Sequence, residues 1–152
     1  MSINSKQKGN SFERQVAKIL MKWTKTKWYR VGVSSGARGT REGIKDSRYN
    51  GDVFTEDEKY NDIVIECKSY KYLDINELFN LNSKFWKWIN QTINESKGKK
   101  WLLFIKINHK GTFCLTNKMQ IFLDIGICSD DIEIFNKSYI SIFNDYHMVK
   151  IK

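Results

Sequence analysis

The order of its apolar segments constrains the fold of this chain more than any other feature. An amphipathic helix comes first, three strand-like segments follow, and a second helix precedes two further strands. The order α-β-β-β-α-β-β predicts a mixed β-sheet flanked by helices, an α/β or α+β domain. The 152 residues suffice for a single domain with a buried core. We expect a basic tail over residues 1–9, a catalytic core over 10–116 and a carboxy-terminal extension over 117–152.

The segment boundaries follow from the spacing of apolar residues and from capping signals. The first helix is predicted over Ser11–Lys25, with Asn10 as its N-cap. The second is predicted over about Asp74–Ser96, with Glu77 completing a capping box and Gly98 ending the helix. The predicted strands, including two less distinct ones near the carboxyl end, are Trp28–Val33, Gly51–Phe54, Asp62–Ser69, Trp101–Ile107, Thr112–Thr116, Tyr139–Phe143 and His147–Ile151.

Positive charge is concentrated in the first third of the chain. Residues 1–50 contain 12 Lys or Arg and 3 Asp or Glu, so their net charge of +9 equals that of the whole chain. Such a concentration favours a polyanionic partner such as DNA, with a solvated basic surface as the alternative. A membrane surface is less favoured, because the basic residues are interleaved with Gly and Ser. Residues 32–51 are rich in glycine and are predicted to form a long loop, and such loops are more often functional than idle.

The cysteines and apolar runs exclude several classes of protein. Cys67, Cys114 and Cys128 form no CxxC pair, and the chain has two histidines, so neither a zinc site nor a disulfide framework is predicted. All three cysteines are expected in the core, and a reducing cytoplasm is the expected compartment. The apolar run Trp101–Ile105 is far too short to span a bilayer, and the polar start MSINSKQKGN lacks a signal-peptide pattern. We therefore expect no membrane partner.

Three polar residues occupy predicted strand positions where a purely structural strand would have apolar ones. Asp52 begins one strand, and Glu66 and Lys68 lie two apart in another, so the latter two point to the same face. The opposite face, expected to be the more buried one, carries Ile63, Ile65 and Cys67. Two carboxylates that gather a hard divalent cation, beside one ammonium, suit phosphodiester hydrolysis. An exposed strand with an ordinary Glu–Lys pair is the alternative.

The sequence G-D-V, about a dozen residues and then I-V-I-E-C-K resembles the signature of the PD-(D/E)XK nuclease superfamily, with Gly51 in place of the usual proline. K-G-N-S-F-E-R, the W-Y-R strand and the S-S-G-A-R loop are similar to archaeal Holliday junction resolvases and related small phage nucleases. The likeness covers residues 8 to about 110. It implies a restriction-endonuclease-like core of αβββαβ order and a homodimeric endonuclease acting on branched DNA.

Two alternatives to a branched-DNA nuclease remain at this point. One is a restriction- or repair-type nuclease that cuts duplex, flap or single-stranded DNA. The other is a DNA-binding protein on a degenerate nuclease fold. The short chain leaves little room for a dedicated sequence-recognition segment, which favours recognition of DNA structure.

The resemblance also implies roles for individual residues. Asp52 and Glu66 would bind Mg²⁺, or Mn²⁺ in its place, together with the backbone carbonyl of Cys67, and Lys68 would be the catalytic lysine. Glu13 matches a helix-one glutamate that reaches the metal site, often through water. The N3 position of a capping box is the alternative for Glu13.

The expected DNA contacts come from the basic part of the chain. The candidate residues are Lys8, Arg30, Ser35, Arg38 and Arg41. Ser35 and Arg38 match the loop that approaches the scissile phosphate in such resolvases, and an arginine can bind a phosphate with two parallel hydrogen bonds. A flexible surface loop is the alternative for both. Gln91, on the second predicted helix, could also reach the site, although a solvated glutamine is the more common outcome.

Overall fold

The computed structural model describes residues 5–31, 51–74, 76–133 and 146–152. The helices in these segments are α1 (Ser5–Thr24), α2 (Asn76–Phe79), α3 (Lys84–Ser96) and α4 (Met119–Asp124), with a 3-10 turn over Ser129–Asp131. The strands are β1 (Tyr29–Arg30), β2 (Val53–Phe54), β3 (Ile63–Tyr70), β4 (Lys100–Ile107), β5 (Gly111–Thr116), β6 (Ile132–Glu133) and β7 (His147–Ile151). None of the helices in these segments is both long and apolar enough to cross a membrane.

The strands of the described segments form one mixed sheet in the order β1-β2-β3-β4-β5-β7-β6. β1, β2 and β3 are antiparallel neighbours, whereas β3 and β4 pair in parallel along their whole length, from Ile63 opposite Lys100 to Tyr70 opposite Ile107. A parallel neighbour requires a crossover connection, and α2 and α3 supply it. The predicted αβββαβ order and the restriction-endonuclease-like mixed sheet are therefore confirmed.

Helices cover both faces of the central strands. α1 packs on the face that carries Ile65, Leu102 and Phe104, and α3 packs on the face that carries Val64 and Leu103. Because β3 and β4 are buried on both sides, their sequences are nearly continuous apolar runs rather than alternating ones. This arrangement makes a charged side chain in the middle of β3 costly, so its presence there calls for a function.

The amino-terminal helix is longer than its apolar pattern predicts. α1 begins at Ser5, and the exposed Gln7 and Lys8 lie within its first turns, before the first core residue, Phe12. The apolar period marks the buried part of a helix and not its whole length. Asn10 therefore lies inside the helix, so its predicted role as N-cap is wrong. The capping-box alternative for Glu13 is wrong for the same reason.

The second predicted helix is divided in two. The chain leaves the helix after Phe79, and α3 begins at Lys84. In the break, Asn82 N–H donates to the Asn80 side chain at 3.0 Å, and Ser83 Oγ donates to the carbonyl of Glu77 at 2.6 Å. Such side-chain bonds compete with the helical backbone ladder. The capping-box bond from Asp74 N–H to Glu77 is present but long, at 3.5 Å.

The carboxy-terminal residues extend the sheet. β7 pairs with β5, so the predicted strand at His147–Ile151 is confirmed, whereas Tyr139–Phe143 lies outside the described residues. Of the three cysteines, Cys114 is buried and Cys67 is partly buried. Cys128 is exposed and contacts Asp131, so the expectation that it is a core residue is wrong.

Gly51 has a structural reason for replacing the usual proline. Its φ is +95°, a value that the proline ring, fixed near −65°, cannot adopt. A Cβ at this position would lie 2.5 Å from the carbonyl oxygen of Ile65 on β3. Glycine thus allows the strand that follows Asp52 to approach the central strand closely.

Replacing Gly51 by alanine should destabilise the protein more than the same change at Gly98. Gly98 also has a positive φ, +81°, but nothing lies within 4 Å of a Cβ there. We expect Gly98→Ala to cost about 1–2 kcal/mol from backbone strain alone, and Gly51→Ala about 2–5 kcal/mol, because steric overlap adds to the strain. Urea unfolding of both variants measures the difference, and equal losses would contradict the close approach of Gly51 to β3.

Candidate active site

Asp52 is fixed between β1 and β3 by hydrogen bonds of its backbone and its side chain. Its backbone N–H donates to the carbonyl of Ile65 at 2.7 Å, and its carbonyl accepts from Val31 N–H at 2.9 Å. Its carboxylate oxygen Oδ2 accepts from the backbone N–H of Cys67 at 2.8 Å. The carboxylate is thereby held against β3 beside the E-x-K segment, as the spacing of the motif predicts.

Glu66 and Lys68 share one face of β3. Lys68 Nζ lies 3.3 Å from Glu66 Oε2, and the Glu66 residue is only 3% exposed. The expectation that the opposite face is the more buried one is wrong, because the two faces are buried alike: Ile63 and Ile65 are 5% and 0% exposed, and Val64 and Glu66 are 2% and 3% exposed. The physical reason is the layer formed by α3, which covers the Glu66 face as α1 covers the other.

Helix α3 adds a carboxylate that the sequence did not indicate. The side chain of Glu95 lies close enough to Glu66 to raise the pKa of its carboxyl group. Gln91, one turn earlier, donates from Nε2 to Glu95 Oε1 at 2.8 Å. Gln91 itself is exposed, so it reaches the site only through Glu95. The signal that was available is the i, i+4 spacing of these two residues beside the apolar face of the helix, and it is a weak one.

The carboxylates of this cluster are short of compensating charge. Burial, followed by repulsion from Asp52 and the nearby Glu95 side chain, raises the pKa of Glu66 to about 8. Burial also raises the pKa of Asp52, and the charges of Glu13 and Glu95 add to this. The N–H of Cys67 and the ammonium of Lys68 oppose the shift for Asp52 but do not cancel it. A cation placed between the two strands would relieve this repulsion.

Glu13 and Arg30 meet on the α1 side of the site. Arg30 Nε donates to Glu13 Oε2 in an ion pair whose two side chains are mostly buried, and Arg30 Nη2 donates to Asn10 Oδ1 at 2.6 Å. The charge of Glu13 also acts on Asp52, which places Glu13 at the edge of the carboxylate cluster. Arg30, expected to contact DNA, is thus held at the active site by α1.

Of the other residues predicted to contact DNA, the structure describes Lys8 and does not describe the remaining three. Lys8 is exposed on the first turns of α1. Ser35, Arg38 and Arg41 lie outside the described residues.

A comparison with protein families gives a match over residues 4–142, to the family described as phage putative PDDEXK endonuclease. The chain belongs to this family. It is therefore a member of the PD-(D/E)XK superfamily, as the motif around Asp52, Glu66 and Lys68 predicts. Searches of the curated proteins and of the solved structures gave no significant match. The finer likeness to Holliday junction resolvases stays a prediction.

The donors that this PDDEXK family member offers at Asp52 and Glu66 are carboxylate oxygens, a type that Mg²⁺ accepts. Within the part of the chain that the structure describes, no three His, Cys, Asp or Glu residues are grouped as ligands for one metal ion. Asp52 and Glu66 remain as two neighbouring carboxylates with unrelieved repulsion. Mg²⁺ is commonly bound through one or two carboxylates, with water and substrate phosphate completing its shell.

The raised pKa of Glu66 predicts an unusual dependence of stability on pH. The folded protein holds this proton more tightly than the unfolded chain, in which the glutamate has its ordinary pKa near 4.5. The resulting stabilisation is complete below that pH and is lost as the pH rises through about 8. Without divalent cations, the melting temperature should therefore fall between pH 5 and pH 8.

Glu66→Gln should remove most of that fall and melt higher than the wild type at pH 8, because the amide is neutral throughout. The exposed Glu58 supplies a matched control, and Glu58→Gln should retain the wild-type slope. Melting temperatures across this pH range, measured with a chelator present, test the point. A wild-type protein with a flat profile would show that the Glu66 carboxyl group is not desolvated.

Proposed function

We propose that this protein is a metal-dependent endonuclease that hydrolyses phosphodiester bonds in DNA. The observation that carries the proposal is the meeting of Asp52, Glu66 and Lys68 at one point of the sheet. Two carboxylates from adjacent strands lie there in a poorly hydrated site, with an ammonium 3.3 Å from one of them. Such an arrangement costs stability unless it serves a ligand, and its chemistry suits a phosphate held by a divalent cation.

In this proposal Asp52, Glu66 and the backbone carbonyl of Cys67 hold Mg²⁺, with Mn²⁺ as a substitute. When bound, the cation supplies Lewis-acid polarisation of the phosphate and activation of water. Lys68 stays beside Glu66 and donates to the attacking water or to the phosphate oxygens, where negative charge develops. The N–H of Cys67 keeps the Asp52 carboxylate in one orientation, which reduces the cost of assembling the site.

Glu13 and Glu95 complete the proposed site from the two helical layers. Glu13, on α1, adds negative charge next to Asp52 and acts on the cation, directly or through water. Glu95, on α3, lies near Glu66 and adds negative charge beside it, which a bound cation would offset. Groups around metal ligands commonly change metal affinity by one to two orders of magnitude.

The partner proposed for this site is DNA, and the resemblance to resolvases extends the proposal to branched DNA and to a homodimer. The charge of residues 1–50 supports a polyanionic substrate, since the rest of the chain is neutral overall. The complete set of Asp52, Glu66 and Lys68 argues against a binding protein on a degenerate nuclease fold. A restriction- or repair-type enzyme would share the same centre, so the substrate panel below separates these possibilities.

Alanine in place of Asp52, Glu66 or Lys68 should each reduce Mg²⁺-dependent cleavage by at least about a thousandfold, since each loss removes several kcal/mol of barrier lowering. Lys100 provides a matched control. It is also a strand lysine 3.3 Å from a carboxylate, that of Asp62, but it lies at the opposite end of the β3–β4 pair. Lys100→Ala should cleave like the wild type.

The measurement is cleavage of a four-way junction beside linear duplex, flap and single-stranded DNA, with circular dichroism to confirm folding. Preferred cleavage of the junction would support the resolvase-like assignment, and preferred cleavage of another substrate would replace it. Full activity of the folded Glu66→Ala variant would refute the proposed centre.

Glu13→Gln should reduce the cleavage rate about 10- to 100-fold and raise the Mg²⁺ concentration for half-maximal activity, because glutamine cannot supply the charge. Arg30→Gln is the comparison, since it breaks the same ion pair but leaves Glu13 charged. The Mg²⁺ requirement should rise only in the first variant. Equal changes in both would mean that Glu13 serves only to hold Arg30.

A further inference from the structure

Helix α1 has two different flanks. On one flank, Glu13 is bonded to Arg30 on β1, next to the candidate active site. On the other, Gln15 Oε1 accepts a hydrogen bond from Lys106 Nζ on β4, at 3.0 Å. β1 and β4 lie on opposite sides of β2 and β3 in the sheet, so α1 separates the two regions.

The second flank borders an open groove of about 600 Å³, which we call the α1–β4 groove. It lies between α1 and the turn that joins β4 to β5. Isoleucines form its apolar part, and its polar lining residues are Gln15, Lys106, Asn108, His109, Thr112 and Lys152. Two lysines line it, and among the described residues no aspartate or glutamate does. The groove therefore combines an apolar floor with positive charge and is accessible from solvent.

Lys106, on β4, has neutral groups as neighbours of its ammonium group. Its ammonium group contacts the neutral amide oxygen of Gln15 and lies 5.8 Å from the centre of the Phe12 ring. Among the described residues no carboxylate forms an ion pair with it, whereas Lys68 and Lys100 each have one. A half-buried ammonium that is held in place by neutral groups keeps its charge available for an external anion.

Lys8 extends this positive strip along the helix. It precedes Gln15 by seven residues, about two helical turns, so it lies on the same flank of α1 and is exposed. Lys22 lies seven residues beyond Gln15 on that flank, but Asp131 neutralises it at 2.6 Å. In the described segments the lysines of this flank without an ion pair are therefore Lys8 and Lys106, and the positive strip does not continue along the whole helix.

We infer that the α1–β4 groove binds the phosphate backbone of the DNA substrate, away from the catalytic centre. This inference rests on the proposed function for the identity of the anion. The lysines supply charge, and the Thr112 hydroxyl and the Asn108 amide supply donors for phosphate oxygens, as in contacts that position DNA without selecting its sequence. An α-helix with its side chains is about 10–12 Å wide, so the groove and the active site contact separate parts of a long substrate.

The test is DNA affinity, measured by fluorescence anisotropy with Ca²⁺ in place of Mg²⁺, on a 30-base-pair duplex and a four-way junction across a salt series. Lys106→Gln should weaken binding about five- to tenfold at 0.1 M salt and lower the salt-dependence slope by about 1. Lys106→Arg should retain the wild-type affinity. Lys100→Gln, on the same strand but paired with Asp62, is the matched control and should bind like the wild type.

Wild-type affinity and slope in a folded Lys106→Gln variant would overturn the inference. If that variant does not fold, Lys8→Gln combined with Lys152→Gln tests the same strip, and unchanged binding would again overturn it. A titration with inorganic phosphate, followed by NMR, is a further test. If the chemical shifts of groove residues change as strongly with millimolar phosphate as with DNA, the groove is a site for small anions and the inference is overturned. Cleavage by the wild type is measured separately. A wild-type protein that binds DNA through Lys106 but does not cleave it would refute the proposed nuclease activity and leave the DNA-binding role of the α1–β4 groove standing.

Discussion

The main constraint in this structure is that the carboxylates of Asp52 and Glu66 lie close together and away from water. Asp52 is fastened to β3 by the N–H of Cys67 and by the short backbone approach that Gly51 permits, and Glu66 lies on the same strand beneath α3. The hydrophobic layers that stabilise the sheet are the same layers that desolvate these groups and raise the pKa of Glu66. A fold built in this way gives up stability at one point, and in our proposal a bound cation there restores it.

The parts of the fold that follow from local pattern were predictable from the sequence. The apolar run before Glu66 and the run at Trp101–Ile107 each indicated a strand. The helix predicted between them completed the order strand, helix, strand. The E-x-K spacing and Asp52 indicated one shared site, and the hydrogen bond between Asp52 and Cys67 N–H agrees with that placement. These features depend on residues close in sequence, or on a motif whose geometry the strand period fixes.

Other features depend on tertiary contacts that no local pattern encodes. The start of α1 was missed because its first turns are exposed and carry no apolar period. The break before α3 arises from side-chain bonds of Asn80 and Ser83 that are not specific enough to predict. The approach of Glu95 to Glu66 depends on how α3 packs across β3, and the pairing of Glu13 with Arg30 depends on how α1 crosses β1. Packing angles of this kind are properties of the whole domain.

Direct measurement of Mn²⁺ binding by electron paramagnetic resonance, in the absence of DNA, tests the central claim that Asp52 and Glu66 together form a cation site. We expect saturable binding to the wild-type protein at pH 8, weakened at least about tenfold in a folded Asp52→Asn variant, since that change removes one of the two charged ligands. Binding should be unchanged in Asp62→Asn, whose carboxylate lies by Lys100 at the other end of the β3–β4 pair. Equal Mn²⁺ affinity in all three proteins would show that Asp52 is not a ligand.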